Sequence, residues 1–333
     1  MVIIESNIEP TKKIIPFNSE ILKALNNWEI YDDTLHVITV ISNFCEFKRR
    51  WQLMKEFIEK MKNVENIQLY VVELAYGNQN FHLTDKNNKN HLQLRTQYPL
   101  WHKENMINIG VKKLLPKNWK AVAWIDGDIE FDNPNWVIDT LKVLTKCDLV
   151  QLFTTCLDLD EKEIPFSIWQ SYGYKYAHGN SSYHKDKGIN YWHCGYAWAC
   201  RRDFFDKMGG LYENSILGSG DYIMTQGYLG LNSSAHGDLV GFDEDVKRYN
   251  KNLDNIKIGY IPTNIKHFFH GSKENRKYIE RNDIYIRHKF DPNIHITKDK
   301  NGVIIPTKKM TKQFLKDVED YFRVRNEDEF FYS

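Results

Sequence analysis

The stretch KAVAWIDGDIEF, residues 120–131, joins an apolar run to two carboxylates. KAVAWI (120–125) reads as a strand, and it runs into Asp126 and Asp128 with only Gly127 between them. Glu130 and Asp132 follow closely, so this negative charge must be met by solvent, a basic neighbour or a bound cation. In an open α/β sheet, ligands collect at the carboxyl ends of the strands. Gly127 lets the backbone approach a ligand closely. Two carboxylates one residue apart can hold a hard divalent ion and leave positions open for phosphate oxygens. The plainer alternative is a surface turn, where aspartate bonds its own backbone.

The pattern extends outward on both sides. HVITVIS (36–42) has the β-branched density of a buried strand, and Phe47, Trp51, Met54, Phe57, Ile58 and Met61 then recur at helical spacing. IQLYVVELA (67–75) is a second strand, GNQNFHLTDKNNKNH a polar loop, and Trp101 to Leu115 a helix closed by Pro116. Asn133-Pro134 opens another helix before the strand DLVQLF (148–153). Strands alternating with amphipathic helices predict an α/β fold with a mixed, mainly parallel central sheet flanked by helices. The expected organisation is an extension over 1–34, one large domain over 35–295 and a helical tail over 296–333. Residues 171–190, rich in Gly, Ser and Tyr, read as a loop able to close over a ligand.

At 333 residues and 42% hydrophobic the chain can bury a sizeable core, and a net charge of +1 gives no reason to expect a polyanionic partner. Five cysteines without a C-x-x-C pair argue against a disulfide framework or zinc knuckle and favour a reducing compartment. Neither a membrane span nor a signal-peptide core is evident, so a cytoplasmic location is expected. A further metal ligand is sought in HFFHGSKENRKY (267–278), where His267 and His270 stand beside Lys273 and Arg276. That stretch follows a late strand and can return to the same sheet edge. Together these residues make a site for both a metal and a diphosphate.

In order and spacing these segments resemble the GT-A-fold, nucleotide-sugar-dependent glycosyltransferases, in particular the β-1,4-galactosyltransferase-like branch, through most of residues 36–280. FKRRWQL (47–53) resembles the family's nucleotide loop, which implies Phe47 and Arg50 near a uridine diphosphate. LWHKENMINIG (100–110) is similar to a helix opening that puts Trp101 and Lys103 toward the donor. By the same resemblance Asp128 and His270 bind the metal, Mn²⁺ or Mg²⁺, with Asp126 supporting the ribose or the metal and His267 at a methionine ligand position. CGYAWACRRDFF (194–205) resembles the strand beneath the donor sugar, placing Gly195 there, and Asp221 falls on the catalytic carboxylate. Lys273 and Arg276 are expected beside the leaving diphosphate.

Departures from the family pattern are specific. The acceptor motif's two tryptophans are missing, with Ile216 and Leu217 nearby, and Gly220 replaces a glutamate. The secretory anchor and disulfides are absent too, a pattern expected of a cytoplasmic or viral-type enzyme. The resemblance implies transfer of a hexose from a UDP-sugar to a hydroxyl acceptor, a glycan or another acceptor, nucleic acid included. Asp221 is either the general base of an inverting reaction or an N-cap behind Gly220. Other readings are a retaining enzyme on the same scaffold, a metal-dependent nucleotidyl or phosphoryl transferase, and an inactive carbohydrate-binding relative.

Overall fold

The computed structural model describes residues 14–180, 190–232, 239–278 and 280–329. Helix α1 (Asn18–Leu25) leads into strand β1 (Leu35–Ser42) and helix α2 (Lys48–Met61). Strands β2 (Ile67–Tyr76) and β3 (His91–Thr96), helix α3 (Lys103–Leu114) and strand β4 (Ala121–Ile125) follow. Next come β5 (Ile129–Phe131), helix α4 (Trp136–Val143), β6 (Leu149–Gln151), β7 (Thr155–Leu159) and β8 (Pro165–Ser171). Helix α5 (Tyr172–Ala177) precedes β9 (Asn190–His193), β10 (Ala197–Arg201), helix α6 (Arg202–Met208), helix α7 (Gly220–Tyr228) and helix α8 (Val240–Asn250). The chain continues through β11 (Ile258–Tyr260), β12 (Asn264–His267), helices α9 (Glu280–Arg287) and α10 (Pro292–His295), the hairpin β13 (Ile296–Lys298) and β14 (Ile304–Pro306), and helix α11 (Lys312–Val324).

The central sheet has seven strands in the order β11-β6-β10-β4-β1-β2-β3. Strand β1 runs parallel to β2 and β4, β2 to β3, and β11 to β6, whereas β10 is antiparallel to both its neighbours. Alternate residues of β1 and β4 feed two cores. Ile38, Val122 and Trp124 join one, and Val37, Ile41, Ala121 and Ala123 join the other. Burial on both faces is why these strands read as nearly continuous apolar runs.

A second sheet, in the order β5-β12-β7-β8-β9, abuts the first. The chain leaves the first sheet at Ile125 and enters the second at Ile129, so Asp126, Gly127 and Asp128 form the bridge between them. Thr39 Oγ1 donates to the Ile125 carbonyl at 2.9 Å and fixes the end of β4. A Cβ on Gly127 would stand 2.5 Å from Met54 Cε, so any larger residue in the bridge would have to displace the end of the Met54 side chain.

The segments read as an extension and a tail contribute to the same cores. Ile21 and Ala24 of α1 and Phe314, Val318 and Tyr321 of α11 are buried. Part of the stretch read as a closing loop is helix α5, capped by Ser171 and carrying the fully buried Tyr172. An apolar helix packed into the core does not swing as a lid; residues 181–189 of that reading lie outside the described residues. Among the described residues no helix is long and apolar enough to cross a membrane.

Candidate active site

Strand register brings the acid and the histidines together. Strand β12 pairs antiparallel with β5, setting His267 opposite Ile129, and the Phe268 amide donates to the Asp128 carbonyl at 2.9 Å. On its other side β12 pairs with β7, which sets His267 opposite Asp158. Asp128, His267 and His270 thereby offer ligand atoms all within 4.8 Å of one another. His270 Nε2 lies 3.0 Å and His267 Nε2 3.9 Å from Asp128 Oδ2.

Each histidine has a second carboxylate at its Nδ1. Asp158 Oδ1 is 2.9 Å from His267 Nδ1, and Glu327 Oε2 is 3.3 Å from His270 Nδ1. Burial would raise the Asp158 carboxyl, but the His267 hydrogen bond and the charges of His267 and Lys273 hold it well below the usual range. Glu327 is likewise held down against its burial by Arg50, Arg325 and His270. Ionised carboxylates only accept, so each Nδ1 carries the hydrogen. Arg276 Nη2, which can only donate, is 2.8 Å from His270 Nε2, marking that nitrogen as an acceptor. An acceptor nitrogen therefore faces a carboxylate oxygen, and a cation reconciles them.

The surrounding cleft supports the same conclusion. It is lined by the end of β1, the start of α2, the Asp126–Asp128 bridge, both histidines, Arg276 and the C-terminal Arg325 and Glu327. Six side-chain polar atoms are buried without a hydrogen-bond partner among the described residues, and three belong to this cleft: Asp128 Oδ1, Arg50 Nε and Arg276 Nε. Such orphans are costly in a folded protein. One anionic and two cationic orphans side by side fit a ligand pair of opposite charges. Burial would raise the Asp128 carboxyl; the adjoining His270, His267 and Arg276 outweigh it and keep the ligand ionised. A 3.0 Å gap between ligand atoms matches adjacent positions on an ion with bonds of roughly 2.1 Å. The residues present fit a divalent metal.

Asp126 is not in that group. Lys103 Nζ sits 2.5 Å from its Oδ1, and the Asp126 amide donates to the Tyr196 carbonyl at 2.8 Å. Its expected metal contact is replaced by this ion pair, because its side chain turns toward α3. Burial drives the Lys103 ammonium down, but Asp126, Asp221 and Glu104 more than offset that and hold it charged. Asp221 is the second residue of α7, whose N-cap is Ser219, and its Oδ1 accepts from the Tyr222 amide at 2.8 Å. Ser219 stands at the cap position but makes no side-chain cap bond, so the one such bond at this helix start is Asp221's own. Gly195 faces the same carboxylate: a Cβ there would lie 2.8 Å from Asp221 Oδ2.

Phe47, Arg50, Trp101, Lys103 and Arg276 line the cleft, whereas Gly195, Asp221 and Lys273 do not. Lys273 instead pairs with Asp158 and stacks 4.7 Å over Trp169. Ile216 and Leu217 are fully buried. Trp192 and Trp198 are buried too, as packing, whereas Tyr196 lines the cleft and its hydroxyl donates to Asp158 Oδ1 at 3.0 Å. His193 stacks on Tyr196 at 3.8 Å, and burial pushes its imidazole down to about 3. His178 lies on Tyr174, and His184 is outside the described residues. Sequence reasoning did not find Asp158, Glu104 or Glu327. A buried carboxylate inside the apolar run CLDLD is the one signal that pointed to Asp158.

No protein-family model matches the chain, and no curated protein matches its sequence. Among solved structures, the catalytic domain of Drosophila β1,4-galactosyltransferase 7 with xylobiose is 12% identical at a TM-score of 0.30, covering 60% of this chain and 63% of that one. A mutant of that enzyme with manganese, UDP-Gal and xylobiose is 12% identical at a TM-score of 0.36, covering 85% and 98%. The mannosyltransferase PcManGT from Pyrobaculum calidifontis, with GDP-Man and Mn²⁺, is 12% identical at 0.36, covering 92% and 76%.

Proposed function

We propose that the chain is a metal-dependent glycosyltransferase of the GT-A type, moving a hexose from a UDP-sugar to a hydroxyl acceptor with inversion. The observation that carries this reading is the cleft in which Asp128, His267 and His270 converge beside two guanidiniums with unpartnered Nε atoms. A nucleoside diphosphate with its divalent ion has the charges that would satisfy all three orphans. Two imidazoles and one carboxylate rank Mn²⁺ ahead of Mg²⁺, which prefers all-oxygen ligands.

Bound to Asp128, His267 and His270, the ion would act as a Lewis acid on the diphosphate oxygens. Arg50 and Arg276 present N–H groups to the same anion and stabilise charge as it develops there. Asp221 takes the proton of the acceptor hydroxyl as that oxygen bonds the anomeric carbon. The carbon's bond to the phosphate oxygen breaks, and the diphosphate leaves with the electron pair. Lys103, between Asp126 and Asp221, keeps both carboxylates from repelling one another. Buried Ile216 and Leu217 leave the acceptor to be recognised by other groups.

Calorimetric titration of UDP with and without Mn²⁺ tests the reading. Wild type should bind UDP only with the metal, and Asp128→Ala should abolish that binding. Equal binding by wild type and variant would overturn the metal assignment. A panel of UDP- and GDP-sugars scored for product then identifies the donor.

A further inference from the structure

The last described residues, Arg325 to Glu329, form an acidic hook across the mouth of the cleft. Three consecutive carboxylates each grip a different wall. Glu327, 2% exposed, accepts from Arg50 Nη1 at 2.7 Å and, through its other oxygen, from Arg325 Nε at 2.7 Å. Asp328 accepts from the Lys48 and Arg49 amides, both at 2.9 Å, and so caps helix α2, whose own N-cap residue Phe47 has no side chain able to do so. Glu329 Oε2 accepts from the Ser272 amide at 3.2 Å and Asn275 Nδ2 at 2.9 Å. Against this hook Gly271 is held at φ +87°, with the Asn326 carbonyl 2.9 Å from where its Cβ would be.

We propose that Glu327, at the centre of this hook, is the positioning residue for His270 in the cation site. This rests on the metal reading given above. Glu327 reaches His270 Nδ1 and the Arg50 guanidinium with the same oxygen, Oε2. It therefore fixes the imidazole with Nε2 turned to Asp128 while neutralising a guanidinium that would repel a divalent ion. Glu329 holds the backbone just past His270, so ring and main chain are set from one segment. Asp328 occupies the α2 N-terminus, a natural anion position, so the diphosphate is left to Arg50 and Arg276. A carboxylate behind a metal-binding histidine is worth about 10- to 100-fold in metal affinity.

The test uses full-length wild type, Glu327→Gln and Asp328→Asn. Free Mn²⁺ is read by electron paramagnetic resonance during titration with MnCl₂ alone. Glu327→Gln should bind Mn²⁺ about 10- to 100-fold more weakly, while Asp328→Asn stays within about twofold of wild type, since its one amide oxygen keeps one of the two α2 capping bonds and the side chain touches neither His270 nor Arg50. In parallel, ¹⁵N resonance of the imidazoles in the metal-free wild type should show His270 protonated at Nδ1, with that preference lost in Glu327→Gln. Equal Mn²⁺ affinity of Glu327→Gln and wild type would overturn the proposal and leave the metal reading standing. Wild type that binds no Mn²⁺ would overturn both. Should Glu327→Gln fail to fold, the wild-type spectrum decides: an Nε2–H tautomer at His270 would refute the positioning role.

Discussion

Replacing Glu104 by Gln should change how the protein's stability depends on pH. Glu104 is almost fully buried in the first turn of α3, with Trp101 Nε1 donating to its Oε2 at 2.9 Å. Its carboxyl presses so closely on α7 that a Cβ on Gly220 would lie 2.7 Å from Glu104 Cδ. Burial foremost, and then the neighbouring Asp221, raise it from 4.5 to about 7 against the pull of Lys103. Between those values the folded chain keeps a proton that the unfolded chain has released. Stability present below about 4.5 is therefore lost as pH rises, and the loss is complete above about 7. At about 1.4 kcal/mol per unit of difference between the two states, the loss is about 3 kcal/mol. Gln preserves the Trp101 bond and never ionises. Urea unfolding of both proteins across a pH series isolates the group, because every other titration cancels in the difference. Glu104→Gln should gain about 2.5 kcal/mol on wild type between pH 5 and pH 8. A difference that stays flat over that range would refute the reasoning.

Two further predictions concern the proposed base. Asp221→Asn should keep its melting temperature, since its amide oxygen can still accept from the Tyr222 amide, yet lose about 10²–10⁴ in transfer rate; near-normal turnover would refute the base assignment, and a product retaining the donor's anomeric configuration would rule out the inverting mechanism. Gly195→Ala places a methyl 2.8 Å from Asp221 Oδ2, and displacing that carboxylate should cost about 10²-fold in turnover with UDP binding unchanged; full activity would show that the two residues do not share a working site.

The sequence disclosed the half of the fold whose strands are long and buried on both faces. HVITVIS, IQLYVVELA and KAVAWI are mostly apolar because their two faces feed two buried cores. The second sheet was hidden. Strands β5 and β12 have three and four residues, too few for alternation to register. On β8 the pattern misleads, since Phe166 and Ile168 are exposed. The aspartate pair and the two histidines were visible as residue types near likely turns, but only the β5–β12 register explains their meeting. Glu327 and Asp328 lay in a polar tail, where nothing in residue type separates a solvated carboxylate from one holding a histidine. Glu104 hid in the same way, as an acid at a helix start where acids are ordinary.

Strand β10 has a consequence for how this chain is made. It lies between β4 and β6, yet it is synthesised after both. Until Ala197–Arg201 leaves the ribosome, β4 and β6 each present an unpaired edge of apolar sequence, separated by the width of one missing strand. Such edges recruit other strands, and a nascent or interrupted chain ending before that point is poised to aggregate. The proposed metal site is completed later still, its residues arriving in order from Asp128 to His270 to Glu327. A copy that stops before Glu327 lacks the carboxylate behind His270 and should hold the cation more weakly than one that includes it.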